Sequence, residues 1–573
     1  MPVHNRDVAR VFDTIADLLD IKGGNTFRIR AYRNAARTVD SLTREVADML
    51  EEGEDLSELS DIGEDLAGKI ETIVETGTHP MLSELKEEVP ESLQELLRVS
   101  GLGPRGVQTI HEELGVTDLD GLRKAAEQGS IAELSGFGEK TQARILEEVE
   151  SITSEEERTL LAEAVKIADG VVEHMRSHDG VKKACAAGSL RRRRETVGDL
   201  DVLVSCREDA DVMDHFLEFE DIDEVLARGD TKTTVILRSG LQVDLRVVPH
   251  AAYGAALVYF TGSKRHNIRL RKRGRDRDLK VNEYGVHRGR EKVAGKTEEE
   301  VYEALDLPWI APELREDRGE IEAAEKNGLP DLVELDDIRG DLHVHTRRTD
   351  GHQTIREMAE AARDLGYGYL AITEHSKRVT VAGGLDADEL AAHIGDIEEA
   401  DGEVEGIRIL SGVEVDILDD GSLDLPDDVL QRLDVVVASV HYRFDLSRDD
   451  QTERVLRALD NPHLNVLGHP TGRKLGQRDP YQIDLERIME AAAERGCFLE
   501  LNAYPDRLDL TDLACVRARE KGAKVVISTD AHRSSHLEYM RFGVGQARRG
   551  WLSAADVVNT RPADELLEMM ERD

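Results

Sequence analysis

The chain has 573 residues, of which 118 are acidic and 75 are basic, so its formal net charge at pH 7 is −43. This length allows two to four domains with ample buried core, and the charge argues against nucleic-acid binding through bulk attraction, which leaves only local basic patches for such contacts. Four scattered cysteines without CxxC spacing argue against a zinc ribbon, and no apolar run approaches the roughly 18 to 20 residues of a membrane helix. No signal peptide is visible, and we expect a cytoplasmic monomer with no membrane partner.

The first 80 residues are predicted to be helical, because apolar side chains recur at spacings of three and four. The clearest run is Val8, Val11, Ile15, Leu18 and Leu19. Residues 92–150 are predicted to hold two further units of one design, in which a helix, a Gly-x-Gly turn and a second helix follow one another.

The Gly-x-Gly turns are the candidate DNA contacts of this region. They lie at Gly101 and Gly103 and again at Gly136 and Gly138, and a weaker copy at 59–63 has an aspartate in place of its first glycine. Glycines permit a tight turn whose backbone N–H groups, at the start of the next helix, face a phosphate. A single copy is often a plain turn, but the repetition favours helix-hairpin-helix units that clamp the DNA backbone without reading its sequence.

Three carboxylates in the middle of the chain form the first candidate catalytic site. Asp199 and Asp201 are two residues apart on a predicted strand, so their side chains point to the same face. Asp244 lies on a second predicted strand. Carboxylates gathered at one place repel one another unless divalent cations such as Mg²⁺ or Mn²⁺ bind them, and two such ions support in-line phosphoryl transfer. The alternative is a set of acidic strand ends beside a solvated arginine run.

The residues just before this strand add a candidate phosphate site. A turn at Gly188-Ser189, followed by Arg192, is suited to hold a triphosphate tail. Together with Gly198 and the two aspartates that follow it, this segment resembles the nucleotidyltransferase signature of the family X DNA polymerases, the DNA polymerase beta family. The resemblance implies a DNA polymerase that uses deoxynucleoside triphosphates and gapped or nicked duplex DNA, with Asp199, Asp201 and Asp244 as its catalytic residues.

The segment 259–275 resembles the nucleotide-binding segment of the same family. The resemblance implies that Tyr259 and Phe260 lie beneath the sugar of the incoming nucleotide and disfavour a 2′-hydroxyl. It further implies that Gly262 shapes the turn, that Asn267 reaches a base edge in the minor groove, and that Arg271 reaches the template side. The residues alone predict only a basic strand, turn and helix near phosphate.

The N-terminal residues 26–36 resemble the small lyase-type domain of this family. Lys69 falls where some members carry a lysine that forms a Schiff base, whereas Asp65 replaces a neighbouring basic residue of that motif. The alternative for Lys69 is a solvated lysine on a helix.

Six apolar runs near the C-terminus are predicted to be buried parallel strands, and each ends in a potential metal ligand. The runs are 341–345, 370–375, 409–414, 435–441, 465–469 and 525–532. Ligands at the same end of six strands predict a barrel whose strand C-termini converge on a multinuclear metal site.

These motifs resemble the PHP (polymerase and histidinol phosphatase) superfamily, which implies a seventh strand near 497–502 and two or three Zn²⁺ or Mn²⁺ ions. Nine residues match its metal set: His343, His345, Asp350, His375, Glu414, His441, His469, Asp530 and His532. The likeness implies one ion on the first two histidines and Asp530, with Glu414 as a bridge to a second ion. It places a third ion near Asp350 and implies hydrolysis of phosphodiesters.

We therefore predict a multidomain chain with an α-helical, helix-hairpin-helix N-terminal region, an α+β nucleotidyltransferase domain and an α/β PHP barrel. The predicted bounds are 1–85 (lyase-like), 86–150 (tandem helix-hairpin-helix), 151–310 (polymerase), 311–338 (linker) and 339–573 (barrel). The favoured function is gap-filling DNA synthesis with a 3′–5′ exonuclease in the barrel. The alternatives are a small-molecule phosphatase of the histidinol-phosphate type and a non-catalytic scaffold for DNA ends.

Overall fold

A computed structural model gives the fold. It describes residues 5–22, 24–40, 46–51, 55–59, 62–76, 78–89, 93, 96–99, 102–156, 158–207 and 210–572. The chain forms two compact units, residues 1–157 and 158–573. No helix within these ranges is both long enough and apolar enough to cross a membrane.

The first unit is helical, as the spacing of its apolar residues predicts. Its α-helices α1–α8 are Asn5–Ile21, Thr26–Asp40, Val46–Glu51, Glu64–Thr76, Pro80–Glu88, Pro104–Leu114, Leu119–Glu127 and Glu139–Glu156. One buried apolar cluster runs from Val8 to Val149 and includes Phe12, Tyr32 and Ile110. Because both predicted subdomains of this unit share that cluster, the boundary at residue 85 stays a prediction.

The helix-hairpin-helix turns have a common local design. A short 3₁₀ turn, at Leu96–Arg98 and again at Ser130–Glu133, precedes each hairpin, and an α-helix follows it. Gly103 caps the helix Pro104–Leu114, while Gly101 lies outside the described residues. Gly136 has a φ of 90°, a left-handed conformation that glycine adopts without strain.

The second unit begins with a five-stranded sheet of order β2-β4-β7-β6-β5, in which only β4 and β7 are parallel. Strands β1–β7 are Thr159–Leu160, Val181–Ala186, Thr196–Val197, Asp199–Cys206, Ile222–Arg228, Lys232–Leu237 and Gln242–Val247. Helices α9–α11 are Leu161–Arg176, Gly188–Arg191 and Val212–Leu217. Helix α9 packs on the sheet through a buried apolar cluster that also contains Leu200, Val202 and Val243.

The chain then forms helices α12–α15, Tyr253–Thr261, Lys264–Arg275, Glu298–Glu303 and Glu320–Glu325. A three-stranded antiparallel sheet, β8–β10, lies among them at Lys280–Asn282, Gly285–Arg288 and Glu291–Ala294. The strand predicted at the start of 259–275 is therefore wrong, because Tyr259 lies in the last turn of the helix Tyr253–Thr261. Ala255, Ala256 and Val258 of that helix are buried, so its continuous apolar run reflects burial and not extended backbone.

The last part of the chain is a sheet of seven parallel strands in sequence order, β11–β17. The strands are Gly340–Asp341, Tyr369–His375, Arg408–Asp416, Val435–Ser439, Val466–Leu467, Phe498–Asn502 and Val525–Ser528. A parallel bridge between Val344 and Ala531 joins the two edges, so the sheet is a nearly closed barrel, as predicted. Helices α16–α23 surround it: Ile355–Asp364, Ala387–Glu403, Asp427–Leu430, Arg448–Leu459, Leu485–Arg495, Asp512–Glu520, Met540–Arg549 and Ala563–Met570.

Strand periodicity aims several predicted ligands into the barrel. A buried apolar cluster takes side chains from strands all around the barrel, which identifies its interior. Ala371 and Leu410 belong to that cluster, and His375 and Glu414 lie four residues further along the same strands. Because side chains alternate along a strand, each ligand faces the same side as the interior residue before it.

The polymerase-like part and the barrel share buried contacts. Leu508 and Phe542 of the barrel belong to the apolar cluster beneath the five-stranded sheet. Arg473 of the barrel pairs with Glu195 at 2.8 Å. The two parts therefore belong to one compact unit, and the predicted boundaries around the linker 311–338 stay predictions.

Candidate active sites

The three predicted catalytic carboxylates come together on two neighbouring interior strands of the five-stranded sheet. Asp201 and Asp244 are direct neighbours in the parallel pair of β4 and β7, and Asp199 lies at the start of β4. Asp244 is buried, and its carboxylate accepts a hydrogen bond from Thr234 and pairs with Lys232 at 2.7 Å. Parallel register, which the sequence alone does not reveal, is what places the third carboxylate beside the first two.

The two neighbouring carboxylates differ in acidity. Burial and the charge of Asp199 raise the pKa of Asp201 to about 6. Burial works against ionisation of Asp244 as well, but hydrogen bonds from Lys232 and Thr234 outweigh it and hold the pKa of Asp244 below its usual range. Arg246 lies near both, with its Nη2 atom 3.3 Å from Asp244 and its Nε atom 3.8 Å from Asp201.

The turn before the carboxylates can only be built with glycine. Gly188 has a φ of 60°, and a Cβ atom there would lie 2.9 Å from Oδ2 of Asp201. The Oγ atom of Ser189 is buried and has no hydrogen-bond partner among the described residues. A buried hydroxyl without a partner, in a cleft beside carboxylates, fits a bound phosphate.

The predicted phosphate ligand Arg192 is engaged within the protein. Its Nε atom lies 2.9 Å from Oε1 of Glu316, and its Nη1 atom donates to the carbonyl oxygen of Thr261 at 2.7 Å. Arg549, from the barrel, also binds Oε1 of Glu316, at 3.0 Å, and donates to the carbonyl oxygen of Arg192 at 2.8 Å. Arg192 therefore helps to build the site but is already paired.

The cleft that contains Gly188, Ser189 and two of the aspartates has a volume of about 920 Å³. Five further basic residues line it: Arg158, Arg194, Lys264, Arg265 and Arg318. Sequence reasoning did not single them out, because they come from four separate segments. Gly198 lies beside Arg158, since a Cβ atom on this glycine would be 3.1 Å from Nη1 of the arginine.

The other predicted nucleotide-binding residues lie around the turn after Tyr253–Thr261. Phe260 lines the cleft, and the guanidinium carbon of Arg246 lies 4.4 Å from its ring centroid. Tyr259 instead lines a separate cavity of about 640 Å³ together with Arg271. The amide of Asn267 donates to the carbonyl oxygens of Tyr259 and Gly262, at 2.7 and 3.0 Å. The contacts with sugar, base edge and template stay predictions.

In the barrel, Glu414 is the hub of the predicted metal set. Its Oε2 atom lies 2.8 Å from Nδ1 of His375 and 3.5 Å from Nε2 of His343. Its Oε1 atom lies 3.3 Å from Nε2 of His441 and 3.0 Å from Nε2 of His469. A carboxylate with two histidines on each oxygen is suited to bridge two ions.

The remaining predicted ligands lie beside this hub. Oδ1 of Asp530 is 3.3 Å from Nε2 of His345. Asp350 contacts His375 and His532, each at 3.4 Å. The structure thus brings all nine predicted ligands together, although they span 190 residues of sequence. Three overlapping groups could each hold an ion: His343 with His345 and Asp530; His345 with Asp350, His375 and His532; and His375 with Glu414 and His441.

The donor atoms of the cluster fit divalent metal ions. Six buried atoms make no well-aligned hydrogen bond with any described residue: His343 Nε2, His345 Nδ1 and Nε2, His375 Nδ1, Glu414 Oε2 and His469 Nδ1. Buried polar atoms without partners cost free energy, which bound ions recover. Imidazole and carboxylate are the ligands that catalytic zinc and manganese sites use.

Charges within the cluster move the histidine pKa values in opposite directions. Burial and the neighbouring His375 and His532 lower the pKa of His345 to about 3. Burial also opposes protonation of His375, but the charge of Glu414 outweighs it and raises the pKa of His375 to about 10. A metal ion must displace such protons, because it binds only neutral imidazole.

Two carboxylates outside the predicted set orient the ligands. Glu500 accepts from Nδ1 of His343 at 2.6 Å, which leaves Nε2 of that ring for a metal. Asp416 lies 3.4 Å from Nδ1 of His441. The sequence carries a signal for Asp416, which is two residues after Glu414 and so on the same strand face, but none that links Glu500 to His343.

In the first unit, the two hairpins border a common cavity of about 720 Å³. Gly103 and Gly136 line it, and so do four arginines: Arg30, Arg33, Arg105 and Arg144. Gly138 follows in the second hairpin and lies immediately before the helix Glu139–Glu156. Backbone N–H groups at helix starts, together with arginines, suit a phosphate backbone. Lys69 lies in the same unit, paired with Asp65.

Comparisons with known proteins agree with this architecture. Four family models match the chain: a helix-hairpin-helix domain at residues 3–79, a SAM-like helix-hairpin-helix tandem at 93–151, a DNA polymerase beta thumb at 256–316 and a PHP domain at 341–504. Together they include the hairpins, the turn after Tyr259, and all of the predicted barrel ligands except Asp530 and His532.

Relatives extend the match to the whole chain. The DNA polymerase/3′-5′ exonuclease PolX of Bacillus subtilis (strain 168) is 39% identical over 574 residues, which cover 100% of both chains. A probable phosphatase of Thermoanaerobacter sp. (strain X514) is 34% identical over 206 residues, 34% of this chain and 79% of that protein. The chain therefore belongs to the family X DNA polymerases that carry a PHP domain, and the predicted resemblance and fold class are confirmed.

Proposed function

We propose that this chain fills gaps in duplex DNA by template-directed synthesis and degrades DNA strands from the 3′ end in its barrel. The observation that carries the proposal is the basic cleft lined by Asp199 and Asp201, with Asp244 beside Asp201 on the neighbouring strand, in the same chain as the nine convergent barrel ligands. Its relative in Bacillus subtilis is named for the same two activities and matches the chain from end to end.

In the polymerase site, Asp199, Asp201 and Asp244 would hold two Mg²⁺ ions, which when bound stabilise the charge that develops during phosphoryl transfer. The basic cleft binds the triphosphate, and the free Ser189 hydroxyl donates to it. The primer 3′-oxygen then forms a bond to the α-phosphorus, the bond to the β-phosphate oxygen breaks, and pyrophosphate leaves. The primer 3′-hydroxyl loses its proton in this step, and the carboxylates of the site are suited to accept it.

In the barrel, the nine ligands would hold two or three Zn²⁺ or Mn²⁺ ions, which when bound activate water for attack on a phosphodiester. Glu500 and Asp416 keep His343 and His441 in the orientation that presents Nε2 to the site. Hydrolysis breaks the bond between phosphorus and the 3′-oxygen of the preceding nucleotide, so a mononucleotide leaves and the shortened strand keeps a 3′-hydroxyl.

A barrel phosphatase for small molecules is the second candidate, because probable phosphatases match about a third of the chain. The match with such a relative covers 34% of this chain, and this chain also has an arginine-lined hairpin cavity. A small phosphate ester needs no such clamp. A DNA substrate accounts for both the hairpin cavity and the metal cluster of the barrel.

One gapped duplex with a labelled primer tests both activities. With Mg²⁺ or Mn²⁺ and nucleotides the primer should lengthen, and without nucleotides it should shorten. Asp199→Ala should stop lengthening and spare shortening, whereas His343→Ala with His345→Ala should do the reverse and lower the metal content. The proposal would be refuted if the unaltered chain neither lengthened nor shortened the primer. Release of phosphate from histidinol phosphate, without any action on the primer, would favour the second candidate.

A further inference from the structure

A surface at the rim of the barrel lies beside the metal cluster and belongs to neither proposed mechanism. It is built by the segment after strand β16 and by the 3₁₀ helix Ser534–Tyr539. Its members are one arginine, Arg507, and three aromatic rings, those of Tyr504, His536 and Tyr539; we refer to these four residues as the rim cluster. Phe, Trp and Tyr together make up only 4% of the chain, so two tyrosines beside a histidine ring at this place call for an explanation.

The rim cluster is anchored directly to the predicted metal ligands. The amide of Asn502 donates to Oδ2 of Asp530 at 3.2 Å, and its own Oδ1 accepts from the backbone N–H of Tyr504 at 3.0 Å. On the other side, the backbone N–H of His532 donates to Nδ1 of His536 at 3.4 Å. Two hydrogen bonds through Asn502 on one side and one hydrogen bond from His532 on the other therefore fix the cluster relative to Asp530 and His532.

Arg507 is largely buried but poorly paired. Its side chain is 14% exposed, and its Nε atom lies 3.6 Å from Oδ2 of Asp530, beyond hydrogen-bond distance. Its Nη1 atom is buried and has no hydrogen-bond partner among the residues that the structure describes. An arginine that served only to neutralise Asp530 would turn its two-pronged edge to that carboxylate. The guanidinium therefore keeps a donor for a second anion, and a phosphodiester oxygen at the metal cluster has the charge and geometry to accept from it.

The three rings are arranged as a small platform. His536 and Tyr539 are stacked, with centroids 4.8 Å apart and planes at 19°. Tyr504 meets both edge-on, at 5.4 and 5.3 Å. All three side chains remain partly exposed. A ring face beside a phosphate site is the arrangement with which proteins bind a nucleobase without reading its identity.

We propose that the rim cluster is the subsite for the 3′-terminal nucleotide of the strand that the barrel degrades, with Arg507 on the phosphodiester to be cut and the rings against the terminal base. This inference rests on the proposed exonuclease and names the residues that recognise its substrate. It gives the barrel a preference for a phosphodiester attached to a base over a simple phosphate ester.

The first test uses small substrates on the full-length chain loaded with Mn²⁺. Thymidine 5′-monophosphate p-nitrophenyl ester carries a base and a charged phosphodiester, whereas bis(p-nitrophenyl) phosphate carries the phosphodiester alone. We expect Tyr504→Leu to raise KM for the thymidine ester about tenfold and to leave KM for the ester without a base unchanged. Tyr504→Phe, which keeps the ring, should behave like the unaltered chain.

Arg507→Met should raise KM for both esters about tenfold or more, because both lose the same charged contact, and Arg507→Lys should recover part of the loss. Arg541→Met is the matched control, since Arg541 is an exposed arginine close by in sequence that lies outside the cluster. Metal content must stay at the level of the unaltered chain in Arg507→Met. Loss of metal in that variant would mean that Arg507 only balances charge, and would overturn the phosphate assignment.

The second test needs no catalysis. An oligonucleotide with 5-iodouracil as its 3′-terminal base is irradiated with the full-length chain in EDTA, and the crosslinked peptide is identified by mass spectrometry. Crosslinks at Tyr504, His536 or Tyr539 support the proposal, and crosslinks confined to other peptides overturn it. If the unaltered chain degrades DNA and both Arg507→Met and Tyr504→Leu behave like it, only the proposed subsite is refuted. If the unaltered chain degrades no DNA, the proposed exonuclease activity is refuted.

Discussion

At the scale of single residues, the polymerase site shows how position in a sheet changes the chemistry of one side chain type. Asp244 is held ionised by Lys232 and Thr234, whereas Asp201 is buried beside Asp199 and keeps a raised pKa. Arg246 contacts both carboxylates. Their surroundings therefore move the pKa values of these two carboxylates in opposite directions.

Replacement of Asp201 by Asn should reduce primer extension on the order of a thousandfold, because several kcal/mol of charge stabilisation are lost at the reacting phosphate. Single-turnover extension of a gapped duplex measures the effect, and shortening of the same primer serves as the internal control. Extension within about tenfold of the unaltered rate would show that Asp201 does not belong to the reacting site.

Glu298 provides a second residue-scale prediction. It pairs with Arg191 at 2.8 Å and with the fully buried Arg315 at 2.6 Å. Burial opposes its ionisation, but hydrogen bonds from Arg191 and the charge of Arg315 lower the pKa of Glu298 to about 2. Because the folded-state pKa lies below the ordinary value of 4.5, the pair stabilises the fold above that value and loses its effect as the pH falls towards 2.

Glu298→Gln should therefore lower the free energy of unfolding by about 3 kcal/mol at pH 7 and by progressively less below pH 4.5. Urea unfolding followed by circular dichroism at several pH values gives the comparison. Glu299→Gln, the adjacent residue, is the control and should shift the curve by less than about 0.5 kcal/mol. An effect that is the same at pH 3 as at pH 7 would contradict the assigned ion pair.

At the scale of elements, the hairpins of the first unit make a prediction about DNA binding. Gly136 lies in a hairpin beside the arginine-lined cavity, whereas Gly129, with a similar φ of 83°, lies outside that cavity. A Cβ atom would meet nothing within 4 Å at either position. The two glycines therefore differ in their position relative to the cavity, but a substitution would introduce similar backbone strain at either one.

Gly136→Val should weaken binding of duplex DNA by about tenfold, equally for unrelated sequences, because the turn no longer presents its N–H groups to a phosphate. Gly129→Val pays the same backbone cost and should bind DNA like the unaltered chain. Fluorescence anisotropy with two duplexes of different sequence measures both effects. An equal loss of DNA affinity in the two variants would mean that backbone strain alone causes the effect. A loss of affinity for only one of the two duplexes would contradict a clamp on the DNA backbone.

The elements also show how far sequence patterns reach. Runs such as 370–375 and 409–414 predicted both a strand and its ligand. A strand buried on both faces gives a continuous apolar run, and the metal ligand follows at the end of that run. The strand predicted at the start of 259–275 is instead the end of the helix Tyr253–Thr261, since a buried apolar run has no period that separates a strand from a helix. The contacts of Arg246 with Asp201 and of Glu500 with His343 escaped prediction, because each joins side chains from separate segments of the chain.

At the scale of the whole molecule, a chain of side chains links the barrel to the nucleotide cleft. Arg549 binds Glu316 at 3.0 Å, and Glu316 binds Arg192 at 2.9 Å. Arg549 also pairs with Asp512 at 2.6 Å, which in turn pairs with Arg318 of the cleft. The barrel thus supports two arginines of the polymerase site.

Arg549→Met should raise KM for the incoming nucleotide about tenfold, because Glu316 then loses one of its two arginine partners and its charge acts on Arg192 alone. Shortening of a single strand should be unchanged, because the substitution does not alter the barrel ligands. Primer extension at varied nucleotide concentrations measures the change, with Arg541→Met as the exposed control. Unchanged KM would mean that this network only holds the two parts together.

The packing of Leu508 and Phe542 into the core beneath the five-stranded sheet has a consequence for biosynthesis. The polymerase-like residues leave the ribosome first, yet their core stays incomplete until nearly all of the barrel has been translated. A message cut short before codon 542 should therefore yield a chain with an exposed apolar patch, which proteases remove. The order of synthesis therefore makes a fully packed polymerase core depend on a nearly complete barrel.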